Sequence, residues 1–107
     1  KKVNMMATKK SFLKKCGWGV EMCFQSMDPS CAEEEEFSVY KFCEAVDTLP
    51  LEELGKLLDY FDSVDMVLHD VYDEASLSHE DLTEDEGFYA FLIEEGTIHT
   101  FRDLLEY

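Results

Sequence analysis

Between Leu51 and Tyr72 apolar residues recur at helical spacing, and no other stretch constrains the fold as strongly. Leu51, Leu54, Leu57, Leu58, Phe61, Val64, Leu68, Val71 and Tyr72 fall on one face of a helix drawn at 3.6 residues per turn. Thr48 is expected to cap that helix and Pro50 to sit in its first turn, where proline's missing amide costs no hydrogen bond. An apolar stripe of this kind must be buried against other elements, and the rest of the chain also reads as helical.

Phe12, Leu13, Cys16, Val20, Cys23 and Phe24 form a second stripe in residues 8–25, interrupted by Gly17 and Gly19. After the turn signal Asp28-Pro29, Ser30 with Glu33 fits a capping box, opening a helix with Phe37, Tyr40, Ala45 and Val46 inward. Residues 76–81 read as a loop. Thr83 with Glu86 makes another capping box, for a helix through Phe88, Phe91, Leu92 and Ile93 that Gly96 ends. Thr97 is expected to cap a last helix through Ile98, Phe101, Leu104 and Leu105. With no β-alternation or internal repeat, the fold class is all-α: a compact four- or five-helix bundle with a strongly acidic surface.

A chain of 107 residues implies one domain, and 46% hydrophobic with 13% aromatic residues gives enough apolar surface for a core. The charge is unevenly spread. Residues 1–15 contain Lys1, Lys2, Lys9, Lys10, Lys14 and Lys15 and no acid. Residues 16–107 set only Lys41, Lys56 and Arg102 against all 25 acids of the chain, whose net charge is −16. The organisation expected is a basic N-terminal arm over 1–15, read as a solvated first turn, and an acidic helical domain over 16–107. Met5 and Met6 both suit a start, so Lys1 to Asn4 are expected to be extraneous.

Solubility of a small domain needs only about 2–8 net charges, and a larger excess destabilises the compact state by self-repulsion. The excess therefore points to function. It opposes direct binding to nucleic acid or an anionic membrane and favours a basic protein surface. The acids are placed accordingly. Glu52, Asp59, Asp62, Asp70 and Asp73, with Met66 among them, lie opposite the apolar stripe of the long helix, spread over roughly 32 Å of helix. Their average spacing of about 8 Å is wider than the roughly 3.4 Å between phosphates along one DNA strand. Several acidic helices side by side are needed to imitate a strand, and the acids at Glu33 to Glu36, from Glu80 to Glu86, and at Glu94 and Glu95 supply further carboxylates.

The reading is an acidic inhibitor that occupies the basic channel of a nucleic-acid-processing or defence enzyme, as some phage-encoded antirestriction and anti-CRISPR proteins do. The expected partner-binding residues are Glu52, Asp59, Asp62, Met66, Asp70, Asp73, Glu84, Asp85 and Glu86, with central aromatics or methionines such as Met66 supplying the less salt-sensitive contacts. The first alternative is a general acidic adaptor or toxin-neutralising module.

Other chemistries find less support. Cys16, Cys23, Cys31 and Cys43 are spaced seven, eight and twelve apart, and His69, His79 and His99 ten and twenty, unlike the close pairs that ligate zinc. No metal or cofactor is expected, and the thiols are expected reduced and half-buried. A calcium loop opening at Asp81 would put Glu86 where glycine is needed and Leu92 where a bidentate glutamate is needed. No serine elbow, cysteine–histidine signature or phosphate loop marks an enzyme. No secretory signal and no apolar run of about 18 residues appears, so a cytoplasmic location is expected, in the host if the chain is phage-encoded.

Asp62-Ser63-Val64-Asp65-Met66-Val67 resembles the Asp-Ser-Leu motif of acyl carrier proteins, and residues 97–105 resemble their last helix. The resemblance implies a small acidic helical carrier with phosphopantetheine on Ser63, which forms the second alternative. The family places its serine after a loop with a glycine just ahead, whereas here Leu57-Leu58-Asp59-Tyr60-Phe61 leads straight in, so Ser63 is expected inside a helix.

Overall fold

The computed structural model describes residues 5–27 and 39–107. Their helices are α1 (Met5–Lys15), α2 (Gly17–Met27), α3 (Val39–Thr48), α4 (Leu51–Ser63), α5 (Leu68–Glu74), α6 (Glu84–Glu95) and α7 (Phe101–Glu106), with a 3₁₀ turn at His79–Asp81. The fold is all-helical, with no strand among the described residues. It has seven α-helices there instead of four or five because two expected helices are each divided in two.

The first division is at Cys16, whose amide is shared between the carbonyls of Phe12 and Leu13 at 3.1 Å each. The two glycines that follow admit neighbouring helices. A β-carbon on Gly17 would lie 3.1 Å from Sγ of Cys43 in α3, and one on Gly19 would lie 1.9 Å from the carbonyl oxygen of Val71 in α5. The backbones of α2 and α5 therefore touch, and this is the most extensive helix pair of the fold.

The second division corrects the long helix. α4 stops at Ser63, and the amides of Val64 and Met66 both return to the carbonyl of Phe61. Asp65 then takes a left-handed conformation (φ 64°), which aspartate tolerates better than most residues. Val67 is extended ahead of α5. Sequence periodicity runs straight through this turn because Val64, Leu68 and Val71 still face the core. Tertiary packing imposes the bend: α4 lies against α7, while α5 lies against α2 and α6.

The caps are mixed. Thr83 and Glu86 form the expected box and Gly96 ends α6 with φ 86°. Thr48 does not cap α4; it is the last residue of α3 and its hydroxyl donates to the Glu44 carbonyl, while Pro50 precedes α4. Thr97 does not cap α7 either. Its amide and that of Ile98 return to Leu92, Ile98 is buried, and the capping box is formed by Thr100 and Asp103. On α3 the buried face is Phe42 and Val46, and Tyr40, expected inward, is 80% exposed. The Ser30–Glu33 box, Cys31, Glu33 to Glu36 and Phe37 lie outside the described residues.

At the centre Phe61 meets Phe24, Phe42 and Phe101 with ring centroids 5.8–6.5 Å apart. The basic segment is part of this body. α1 buries Phe12 and Leu13 completely, so it is not a solvated arm. Lys9 donates to the Leu105 carbonyl, Lys10 to that of Leu49, and Lys14 pairs with Asp47 at 2.8 Å.

Candidate interaction surface

The turn at residues 64–67 redistributes the acids expected along one helix. Glu52, Asp59 and Asp62 remain on α4, and Asp70 and Asp73 move to α5. Glu52 is exposed at the edge of an open groove of about 580 Å³ between α4 and α7, floored by Leu51, Gly55 and Leu105. Asp59 faces the same groove but is engaged by Arg102, whose Nε donates to it at 3.1 Å and whose other nitrogens reach Asp59 and Glu106. Those two acids hold the guanidinium's pKa above its ordinary value.

Asp62 is half-buried and accepts the backbone amide of Phe101 at 3.4 Å, so it ties α4 to the start of α7. Burial pushes its carboxyl up from the ordinary aspartate value, and the amides of Phe101 and Arg102 offset only part of that. Ser63, beside it, is exposed at the end of α4 and donates to the Tyr60 carbonyl at 2.7 Å. It is a helix-terminal residue, which corrects the interior position expected from the stripe; it also stands at a C-terminus, whereas the carrier motif follows a loop.

Asp70 and Asp73 are exposed on α5, with Asp73 3.2 Å from His69 one turn earlier. The bend brings Asp70 together with Asp65 and Glu74 around a small cavity of about 180 Å³ that also touches Cys23, Ser26 and Met66. Asp65 and Glu74 were not selected from sequence, because only the left-handed turn swings Asp65 toward α5. Burial, then the charges of Asp70, Glu74 and Asp73, push the Cys23 thiol up to about 11. Among the described residues no three His, Cys, Asp or Glu side chains converge as metal ligands, and no helix is long and apolar enough to cross a membrane.

Two of the selected residues leave the surface. Met66 is 1% exposed, turned into the core by the same turn that ends α4. Glu86 is 2% exposed and serves the fold. Its carboxylate accepts from Lys15 at 2.8 Å, from the Thr83 amide at 2.9 Å and from the Ser11 hydroxyl, joining α1 to the start of α6. Burial alone would raise its pKa, but the hydrogen bonds from Lys15, Ser11 and Thr83 and the Lys15 charge hold it below the ordinary glutamate value. Its neighbours Glu84 and Asp85 remain exposed.

The exposed apolar residues were missed from sequence. Trp18 and Met22 on α2, Tyr40 on α3, Phe88 and Phe91 on α6 and Tyr107 after α7 are all about half exposed or more. For α6 the signal was present: Phe88 to Ile93 are six consecutive apolar residues, which go right round the helix, so packing on one side leaves some of them outside. Comparison with family models, with curated proteins and with solved structures finds no match to this chain.

Proposed function

We propose that this protein binds a basic protein surface through a strongly acidic exterior, and that it inhibits a nucleic-acid-processing or defence enzyme by occupying the channel of its nucleic acid. One observation carries the reading: the imbalance of 25 acids against nine lysines and arginines, in a fold that already engages most of its described cations internally. The lysines of α1 lie against Leu105, Leu49, Asp47 and Glu86, leaving Glu52, Asp70, Asp73, Glu84 and Asp85 exposed to a partner. Opposite charge across such an interface accelerates encounter and rejects anionic competitors, so steric exclusion with electrostatic steering is the mechanism. The protein needs no reaction of its own and no cofactor in this role. An adaptor or toxin-neutralising module draws on the same charge but does not need the partner's nucleic acid channel.

Affinity capture from host lysate, eluted in steps of rising salt, tests the reading. The expected result is a nucleic-acid enzyme released at intermediate salt and displaced by its own DNA or RNA. A partner that ignores nucleic acid would replace the mimic with the adaptor. Recovery of fatty-acid or polyketide enzymes, with phosphopantetheine on Ser63, would replace both with a carrier.

A further inference from the structure

The outer face of α6 combines two chemistries that a basic partner can satisfy together. Glu84, Phe88, Phe91 and Glu95 follow one another at intervals of four, three and four residues, so they line one face of the helix. Phe88 and Phe91 are 47% and 50% exposed, while Tyr89, Ala90, Leu92 and Ile93 already supply the buried side of α6. The ring of Tyr107 lies 6.1 Å from that of Phe88 and is also half exposed, which widens the aromatic surface toward α7. Gly87 adds no bulk beside the rings; a β-carbon there would meet nothing within 4 Å.

We infer that this face is a docking site for arginine side chains of a protein partner, with Phe88 and Phe91 as stacking platforms and Glu84 and Glu95 as counter-charges. The inference rests on the proposed binding of a basic protein surface and names the chemistry that surface presents. Charge selects the occupant. A second copy of this chain would set Glu84 and Glu95 against their own equivalents, in two molecules of net charge −16. An anionic lipid surface meets the same repulsion. A guanidinium suits both halves of the face best, because its plane stacks on aromatic rings while its N–H fork pairs with carboxylates; an ammonium is also drawn to a ring face but has no flat surface to stack and no fork. The rings thus take the role of salt-insensitive anchor expected of Met66.

The test uses two synthetic helical peptides of equal length and charge, one with arginines and one with lysines at the same positions, titrated calorimetrically at several salt concentrations. The expected result is binding of both, with the arginine peptide tighter by up to about two- to fivefold for each ring engaged. Phe88→Leu with Phe91→Leu keeps apolar area on an exposed face, and is expected to abolish the preference for arginine while retaining lysine-peptide binding. Glu84→Gln with Glu95→Gln is expected to weaken both peptides and flatten the salt dependence. Equal binding of the two peptides, or a preference that survives loss of the rings, overturns this inference and leaves the acidic-inhibitor reading standing. Binding of neither peptide overturns both. A concentration-dependent dimer abolished by the leucine pair would assign the face to a second copy and also overturn the inference.

Discussion

Gly19→Ala tests the contact on which the fold turns. A β-carbon at position 19 would lie 1.9 Å from the carbonyl oxygen of Val71, 2.8 Å from the carbonyl carbon and 3.1 Å from the amide nitrogen of Ala75. All three are backbone atoms of α5 or its end, so no side-chain rotation relieves the clash, and α2 and α5 must separate by more than an ångström. Separation loosens the packing of α2 on α5, whose buried residues include Val20, Cys23, Val71 and Tyr72. Overpacking a core costs typically about 1–3 kcal/mol, and a backbone obstruction belongs at the upper end, about 3. Replacing glycine by alanine inside a helix returns about 1 kcal/mol. The net loss of about 2 kcal/mol corresponds to a fall in Tm of roughly 8–16 °C for a domain of this size. Gly55→Ala and Gly87→Ala are controls within the same thermal-denaturation assay. The first meets only Leu105 Cδ1 at 3.5 Å and the second meets nothing, so both are expected to raise stability by about 0.5–1 kcal/mol. A Gly19→Ala protein as stable as the parent would refute the close approach of α2 and α5, and with it the bend after Ser63.

Glu86→Ala should destabilise the protein by about 3 kcal/mol, because it removes the buried acceptor of Lys15, Ser11 and the Thr83 amide; denaturant unfolding that finds no loss would refute a structural role for Glu86. Since folding lowers the Glu86 pKa, its contribution is complete above the ordinary glutamate value and is lost as pH falls through the folded value. The stability gap between wild type and Glu86→Gln should therefore shrink on acidification, and a gap that widens below pH of about 4 would contradict the ion pair. Burial holds the Cys16 thiol at about 12 and Cys23 at about 11, so neither should be alkylated at pH of about 8 until the protein unfolds, as peptide mass mapping can check. Thr100→Ala removes the cap of α7 and should cost about 1 kcal/mol in the same unfolding assay, whereas Thr97→Ala, outside any cap, should cost less.

Helical class was legible because apolar periodicity and caps agree over most of the chain. The box at Thr83–Glu86 and the stop at Gly96 depend on contacts within a few residues, and they appear where local chemistry puts them. The bend at Asp65 was not legible, because Val64, Leu68 and Val71 keep their helical phase through it and only the partners of α4 and α5 reveal the break. The same limit applies to the acids. Spacing placed Asp62 opposite the apolar stripe and Glu86 in a capping box; it could not show that Asp62 would meet the α7 amide or that Ser11 and Lys15 would enclose Glu86. Met66 was misplaced for the same reason. Conversely, Asp70, Asp73, Glu84 and Asp85 are exposed, in keeping with their places off the apolar faces of α5 and α6. The fate of the α1 lysines needed long-range contacts, Lys9 with Leu105 above all, that no local pattern contains.

The measurement that bears most directly on the proposed function is competition for the captured partner enzyme, followed by the anisotropy of fluorescently labelled DNA or RNA bound to it. Adding the acidic protein is expected to displace the nucleic acid completely, with an apparent affinity that weakens in proportion to nucleic acid concentration. Reversing the charges of Asp70, Asp73, Glu84 and Asp85 should weaken displacement and reduce its salt dependence. A stable ternary complex of enzyme, nucleic acid and this protein would contradict the account, since a channel occupied by the inhibitor leaves no room for its ligand.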